Sequence, residues 1–135
     1  MRTEKTPLLL LLFAVAGVLT MSSGYAETGL DFSHVDSREK AEELAEQGEL
    51  FKILLFPAEF GGQDIPPNTV YVPAGIPEIK DQITQTLIRY VEDGVIDNLA
   101  VNPEYKGNSF VPAKILMETS HSGKSGTFNP TIEIW

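Results

Sequence analysis

The feature that most constrains this chain is a run of 12 residues without a polar group near its start, residues 8–19. Arg2 and Lys5 precede the run, and residues 24–26 (Gly-Tyr-Ala) follow it as a small-x-small cleavage site. This pattern predicts a secretory signal peptide over residues 1–26, removed by cleavage after its last residue. A helix of that apolar length rises roughly 18 Å, and a hydrocarbon core is roughly 30 Å thick. We therefore expect a periplasmic or secreted protein with no stable membrane insertion after cleavage.

The 109 residues that remain contain no cysteine, so no disulfide can support the fold of the exported protein. A chain of this length is the usual size of one domain. Its stability then has to come from a hydrophobic core. We expect residues 27–35, which are short and polar, to be a flexible arm, and residues 36–135 to be a single α+β domain.

The charge of the chain without its leader limits the class of partner. It carries 18 acidic and 8 basic side chains, a net charge of −10. Nucleic acids and anionic membranes are bound through clustered Lys and Arg, and here these residues are few and scattered. The balance predicts no nucleic-acid partner, and it favours another protein, in particular a cationic one.

Two segments predict helices. Asp36 and Glu39 have the form of a capping box, and a narrow apolar stripe follows as far as Gly48. The second helix begins near Pro77, without a side-chain cap, and ends at Gly94. Its predicted apolar face is Ile79, Ile83, Leu87, Tyr90 and Val91, and its predicted polar face is Lys80, Asp81, Gln85, Arg89 and Glu92.

The other segments predict strands. Residues 50–56 are an apolar run with one polar residue, which predicts a strand buried on both faces, and residues 69–72 predict a second short strand. Alternating segments at 99–105, 111–117 and 128–134 predict a three-stranded antiparallel meander. The expected fold class is α+β: two helices packed on a mostly antiparallel sheet of about five strands, ending in the meander.

The sequence carries no recognisable catalytic, metal or cofactor signature. His34 and His121 are the only histidines, and neither has a second ligand at metal spacing. Residues 123–125 (Gly-Lys-Ser) imitate the end of a phosphate-binding loop, but Glu118 stands where the first glycine is required. No Gly-x-Ser-x-Gly elbow is present. We therefore expect no metal and no cofactor, and a binding role fits better than an enzymatic one.

Residues 57–68 are the first candidate binding segment. This stretch has three prolines and two adjacent glycines, which predicts no regular structure, and loops of this length often bind ligands. Its mixture of apolar and polar side chains suits a contact patch, unless the apolar ones cap the core. The first hairpin of the meander is a second candidate, with ordinary cross-strand pairing as the alternative. The candidate residues are Phe60, Gln63, Asp64 and Ile65 in the loop, and Tyr105, Lys106, Asn108 and Phe110 in the hairpin.

Three segments, NTVYVP (68–73), PEYKGNSFVP (103–112) and IEIW (132–135), resemble a group of small uncharacterised bacterial exported proteins. The resemblance implies a bacterial source and assigns neither an activity nor a site residue. Three functions stay open. The first is a protein-binding domain, such as an immunity or inhibitor protein against a toxin or an enzyme. The second is a small cell-envelope hydrolase using carboxylates or His121, and the third is a structural or accessory envelope protein.

Overall fold

A computed structural model of the chain describes residues 29–125 and 128–135. The predicted signal peptide and the first two residues of the predicted arm lie outside this part. Among the described residues, no helix has the length and apolarity needed to cross a membrane. The elements are α1 (Arg38–Glu46), β1 (Phe51–Leu54), β2 (Thr69–Val72), α2 (Ile76–Glu92), β3 (Asn98–Tyr105), β4 (Pro112–His121), β5 (Lys124–Ser125) and β6 (Thr131–Glu133).

The strands form two antiparallel sheets. β1 and β2 make a two-stranded sheet, while β4 is the centre of a second sheet, with β3 on one side and β5 and β6 on the other. The α+β class is confirmed. The single sheet of about five strands is wrong, because β2 contacts β4 without joining its ladder. The meander is confirmed in part: β3 and β6 both pair antiparallel with β4, but β6 covers only Thr131–Glu133 of the predicted segment 128–134, and β5 lies before that segment.

The hydrophobic core lies where the second sheet, α2 and β2 meet. Ile115 and Met117 of β4 are almost fully buried, and the side chain between them is less so, because side chains alternate along a strand. Leu87 of α2 is fully buried, and burying such a side chain contributes about 1.5–3 kcal/mol. Tyr90 packs edge-to-face on Phe128, with ring centroids 5.5 Å apart. These contacts attach α2 to the last part of the chain.

The first helix begins one residue later than the predicted capping box. Ser37 is the N-cap, and its hydroxyl accepts a hydrogen bond from the Lys40 N–H at 3.1 Å. Asp36 instead accepts from the Lys40 ammonium at 2.8 Å, and this contact holds the pKa of the Asp36 carboxyl below its ordinary value. The predicted box of Asp36 and Glu39 is therefore wrong, because Ser37 already occupies the capping position.

The segment predicted as a flexible arm is anchored at its C-terminal end. Val35 is fully buried, and its carbonyl accepts a hydrogen bond from the Phe110 N–H at 2.7 Å. The Ser109 hydroxyl donates to the Phe32 carbonyl at 2.7 Å. These bonds connect the start of α1 to the hairpin between β3 and β4.

The second helix has the predicted ends but a different buried face. Gly75 at its N-cap has φ +92° and supplies no side-chain bond, and after Gly94 the Val95 N–H donates to the Tyr90 carbonyl at 2.8 Å. The buried residues are Ile76, Lys80, Thr84 and Leu87. The apolar face predicted at Ile79 and Val91 is wrong at those positions, which are 44% and 43% exposed. Lys80, predicted to be polar surface, lies inside.

The strand predicted at residues 50–56 is neither as long nor as buried as expected. Phe51 and Lys52 are exposed and Ile53 and Leu54 are half-buried, because a two-stranded sheet has no neighbour on the outer side of β1. The following segment is also more regular than predicted. It contains two short 3-10 helices, Ala58–Phe60 and Pro66–Asn68.

Candidate functional site

The hydrogen bonds of β1 show which of its backbone groups are used within the sheet. Leu55 donates its N–H to the Asn68 carbonyl at 2.9 Å, immediately after the last ladder pair. Opposed pairs in an antiparallel ladder alternate between bonded and non-bonded. Phe51 and Ile53 are therefore the residues of β1 that exchange hydrogen bonds with β2. The other two residues of β1 direct their backbone groups to the opposite edge.

Lys52 and Leu54 form this open edge. In the part of the chain that the structure describes, β1 pairs with β2 alone, so no strand lies on the side to which their N–H and C=O groups point. β2 differs, because all four of its residues are buried and both α1 and β4 contact it. Of the two strands, β1 is therefore the one whose edge can receive a further strand.

Two cavities lie between β1 and the N-terminal half of α2. The first, of about 260 Å³, is lined by Phe51 and Lys52, and the second, of about 190 Å³, by Ile53 and Leu54. Each cavity thus borders one of the two residues of the open edge, Lys52 or Leu54. Pro77 of α2 lines both cavities. We call the two together the β1–α2 groove.

The rim of the groove is mainly acidic. Glu78 lines the first cavity, and Glu59 and Asp81 line the second. All three residues are exposed. These three carboxylates outnumber the two lysines that line the same cavities, Lys52 and Lys80, and this balance favours a ligand that brings basic groups.

Lys80 is the one basic side chain that lines the second cavity. The residue is only 6% exposed. Burial lowers the pKa of its ammonium, and the negative charges of Glu59 and Asp81 act in the opposite direction with a smaller effect. One turn further along α2, the Thr84 hydroxyl donates to the Lys80 carbonyl at 2.9 Å. The second cavity is therefore lined by a buried lysine and by two carboxylates whose charges act on it.

Residues 57–59, at the start of the segment 57–68, line the second cavity of the groove, and Asn68 holds the segment in place. Its side-chain amide accepts from the Phe56 N–H at 2.8 Å and donates to the carbonyls of Phe56 and Gln63 at 3.1 Å each. Gly62 packs so closely on this bend that a Cβ there would lie 1.9 Å from the Phe56 carbonyl oxygen. Only glycine fits this position.

The four candidate residues of this loop are placed differently from one another. Phe60 is half-buried and packs edge-to-face on Phe56, with ring centroids 6.4 Å apart. Ile65 is 45% exposed, and the Gln63 side chain is also at the surface. Asp64 forms an ion pair with Lys52 of the open edge at 3.1 Å. The loop thus borders β1 through Asp64.

The hairpin candidates lie elsewhere. Tyr105 and Phe110 are 46% and 41% exposed, and Lys106 and Asn108 are exposed in the turn between them. Partial burial raises the pKa of the Tyr105 hydroxyl, and the charge of Arg38 opposes this. None of these four hairpin residues lines the β1–α2 groove.

Arg38 of α1 is the link between the two predicted patches. Its guanidinium donates to the Pro66 carbonyl at 3.2 Å and lies 5.9 Å from the ring centroid of Tyr71. The same charge acts on Tyr105. The loop and the hairpin therefore both approach Arg38. Only the loop lines the groove, and it does so through residues 57–59 and not through its four candidate residues.

A further cavity of about 360 Å³ lies on the second sheet, between the ends of β3 and β4. It is polar, and Glu118 is the only carboxylate that lines it. His121 is exposed at the end of β4 and lines neither this cavity nor the groove. Among residues 29–125 and 128–135, no group of three His, Cys, Asp or Glu side chains is placed to hold a metal ion.

The open edge and Lys80 were not among the residues singled out from the sequence. A signal for the edge was present, because Lys52 interrupts an apolar run and lysine is typical of exposed edge strands. Lys80 offered no such signal, since a lysine in an amphipathic helix is ordinarily at the surface.

The comparisons with known proteins return no relative. No protein-family model matches the chain, and no curated protein or solved structure matches it. The resemblance to small bacterial exported proteins therefore stays a prediction, and the function has to be argued from the geometry of the groove.

Proposed function

We propose that the chain is an exported, non-enzymatic protein-binding domain whose partner inserts an extended segment into the β1–α2 groove. The open edge of β1 is the observation that carries the proposal. In strand addition, main-chain hydrogen bonds supply affinity and the pockets for alternate side chains supply specificity. Lys52 and Leu54 offer the main-chain groups, and the two cavities offer the pockets.

The charge of the groove supports a basic segment. Glu59, Glu78 and Asp81 line it, and the chain without its predicted leader carries a net charge of −10. Complementary charge speeds encounter and suppresses acidic competitors. The partner is thus a cationic protein with an extended basic segment, which agrees with an immunity or inhibitor role against a toxin or an enzyme.

Two substitutions at one position test the proposal. Lys52→Pro removes the outward N–H while leaving the bonds between β1 and β2 intact, because proline is tolerated where its nitrogen faces away from the ladder. Lys52→Ala removes the side chain and keeps the N–H, so it is the matched control. Linear peptides are first selected on the wild-type protein from a random displayed library and then measured on both variants.

The proposal predicts basic peptides that bind wild type and Lys52→Ala comparably and bind Lys52→Pro about tenfold more weakly, as the loss of about one backbone hydrogen bond implies. Equal affinity for Lys52→Pro would show that the peptides bind elsewhere. A library without binders also contradicts the proposal. A wild-type dimer that Lys52→Pro abolishes would also contradict the proposal, because the edge of β1 would then bind a second copy of this chain.

A further inference from the structure

We propose that Lys80 is a nucleophilic amine that forms a Schiff base with a small aliphatic aldehyde entering the second cavity of the groove. The inference goes beyond the proposed binding function and does not depend on it, since it concerns one side chain and its cavity rather than the edge of β1. Its basis is the placement of Lys80.

Lys80 is buried without a partner. It is 6% exposed, and in the part of the chain that the structure describes its ammonium makes no hydrogen bond or ion pair. A buried charge is costly, and burial therefore shifts the protonation equilibrium of this amine toward its neutral form. Burial lowers the pKa of Lys80 more than the charges of Glu59 and Asp81 raise it. A desolvated neutral amine is the form of lysine that attacks carbonyl groups.

The cavity has the composition that such a reaction needs. Ile53, Leu54 and Pro57 provide apolar contacts for a short alkyl chain within a volume of about 190 Å³. Glu59 and Asp81 line the same cavity. A carboxylate next to the amine can accept a proton in one step and return it in the next.

The reaction balances without a cofactor or an oxidant. The nitrogen lone pair attacks the carbonyl carbon, forming a C–N bond and a carbinolamine as one proton moves from nitrogen to oxygen. Breaking the C–O bond then releases water and leaves a C=N bond. Glu59 or Asp81 can carry each transferred proton, so the net change is amine plus aldehyde giving imine plus water.

Competitive labelling of the full chain at pH 7 tests the inference. Cyanoborohydride delivers hydride to the carbon of the imine that propanal forms, and this reduction traps it as a stable secondary amine. Peptide mass spectrometry then gives the initial rate of labelling at each lysine. Lys124 is exposed and serves as the reference inside the same molecule. We expect Lys80 to be labelled at least twice as fast as Lys124, because a lowered pKa leaves a larger share of its amine unprotonated.

Two controls separate reactivity from exposure. In the chain unfolded by guanidinium the two rates should become equal, and Lys80→Met should lose the fast site while leaving labelling of Lys124 unchanged. Labelling of Lys80 in the folded chain at or below the rate of Lys124 overturns the inference, because that order is expected for an inaccessible ammonium. The labelling of Lys80 does not depend on peptide binding. Slow labelling of Lys80 would therefore leave the proposed strand addition at β1 standing, and a failure of peptide binding would leave the proposed reactivity of Lys80 standing.

Discussion

Lys80 shows how one side chain can differ from the pattern of its helix. Its alkyl stem replaces a core aliphatic residue on the buried face of α2, and the residue as a whole is only 6% exposed. The cost of that position is electrostatic rather than steric. It can therefore be measured by removing the amine while keeping a chain of similar length.

We predict that Lys80→Met raises the free energy of unfolding by about 0.5–2 kcal/mol at pH 7, the range usual for relief of an unfavourable group. Because burial lowers the folded-state pKa of Lys80 below 10.5, the folded state binds this proton less readily than the unfolded state. The penalty is fully present below the folded pKa and disappears as the pH rises toward 10.5. Urea denaturation should show that the gain in free energy of unfolding of Lys80→Met over wild type is smaller at pH 10 than at pH 7.

The exposed Lys114→Met is the control, with a change expected to stay within about 0.5 kcal/mol at both values of pH. A Lys80→Met protein less stable than wild type at pH 7 would mean that the amine has a stabilising partner.

At the start of α1, we predict that Ser37→Ala lowers the free energy of unfolding by about 1 kcal/mol, since the hydroxyl caps the Lys40 N–H. Asp36→Ala removes only an exposed ion pair and should cost less. Thermal denaturation of the two variants checks the order. A greater loss for Asp36→Ala would restore the capping box read from the sequence.

At the scale of elements, the loop 57–68 is closed by a single amide side chain. We predict that Asn68→Ala costs about 2–3 kcal/mol, because the backbone groups of Phe56 and Gln63 lose their partner. Gln63→Ala, which removes an exposed side chain and keeps its carbonyl, should cost less than about 0.5 kcal/mol. Chemical denaturation of both measures the difference, and equal losses would contradict the closure by Asn68.

Local signals predicted the elements that depend on local chemistry. Gly94 marks the end of α2 because a left-handed residue there, with φ +73°, lets the following N–H turn back on the helix. Pro112 stands at the first position of β4, beside the register shift at Glu104 and Tyr105, where proline suits a strand. Alternation likewise located β3 and β4.

Features set by tertiary packing were not predictable in the same way. An apolar run such as residues 50–56 predicts a strand buried on both faces whether its sheet has two strands or five. Phe51 is exposed because no further strand lies beside β1 in the described part of the chain. The rotation of α2 that buries Lys80 and exposes Ile79 depends on the surface it packs against. The groove was missed for the same reason, since two distant elements form it.

For the whole molecule, the leader read at residues 1–26 makes a direct prediction about the processed chain. When the full sequence is expressed in a bacterial host, we expect the exported protein to begin at Glu27, because the small residues Gly24 and Ala26 lie three positions and one position before the cleaved bond. Intact mass and N-terminal sequencing of the periplasmic fraction check this. An unprocessed chain starting at Met1 and retained in the cytoplasm would remove the basis for an extracytoplasmic partner.

The open edge of β1 is the claim on which the proposed function depends, and amide hydrogen exchange in the free protein measures it most directly. Phe51 and Ile53 should exchange slowly because they bond to β2, while Lys52 and Leu54 should exchange quickly at all protein concentrations. Slow exchange at all four amides in the dilute protein would contradict the claim, because it would mean that another part of the chain already covers the edge.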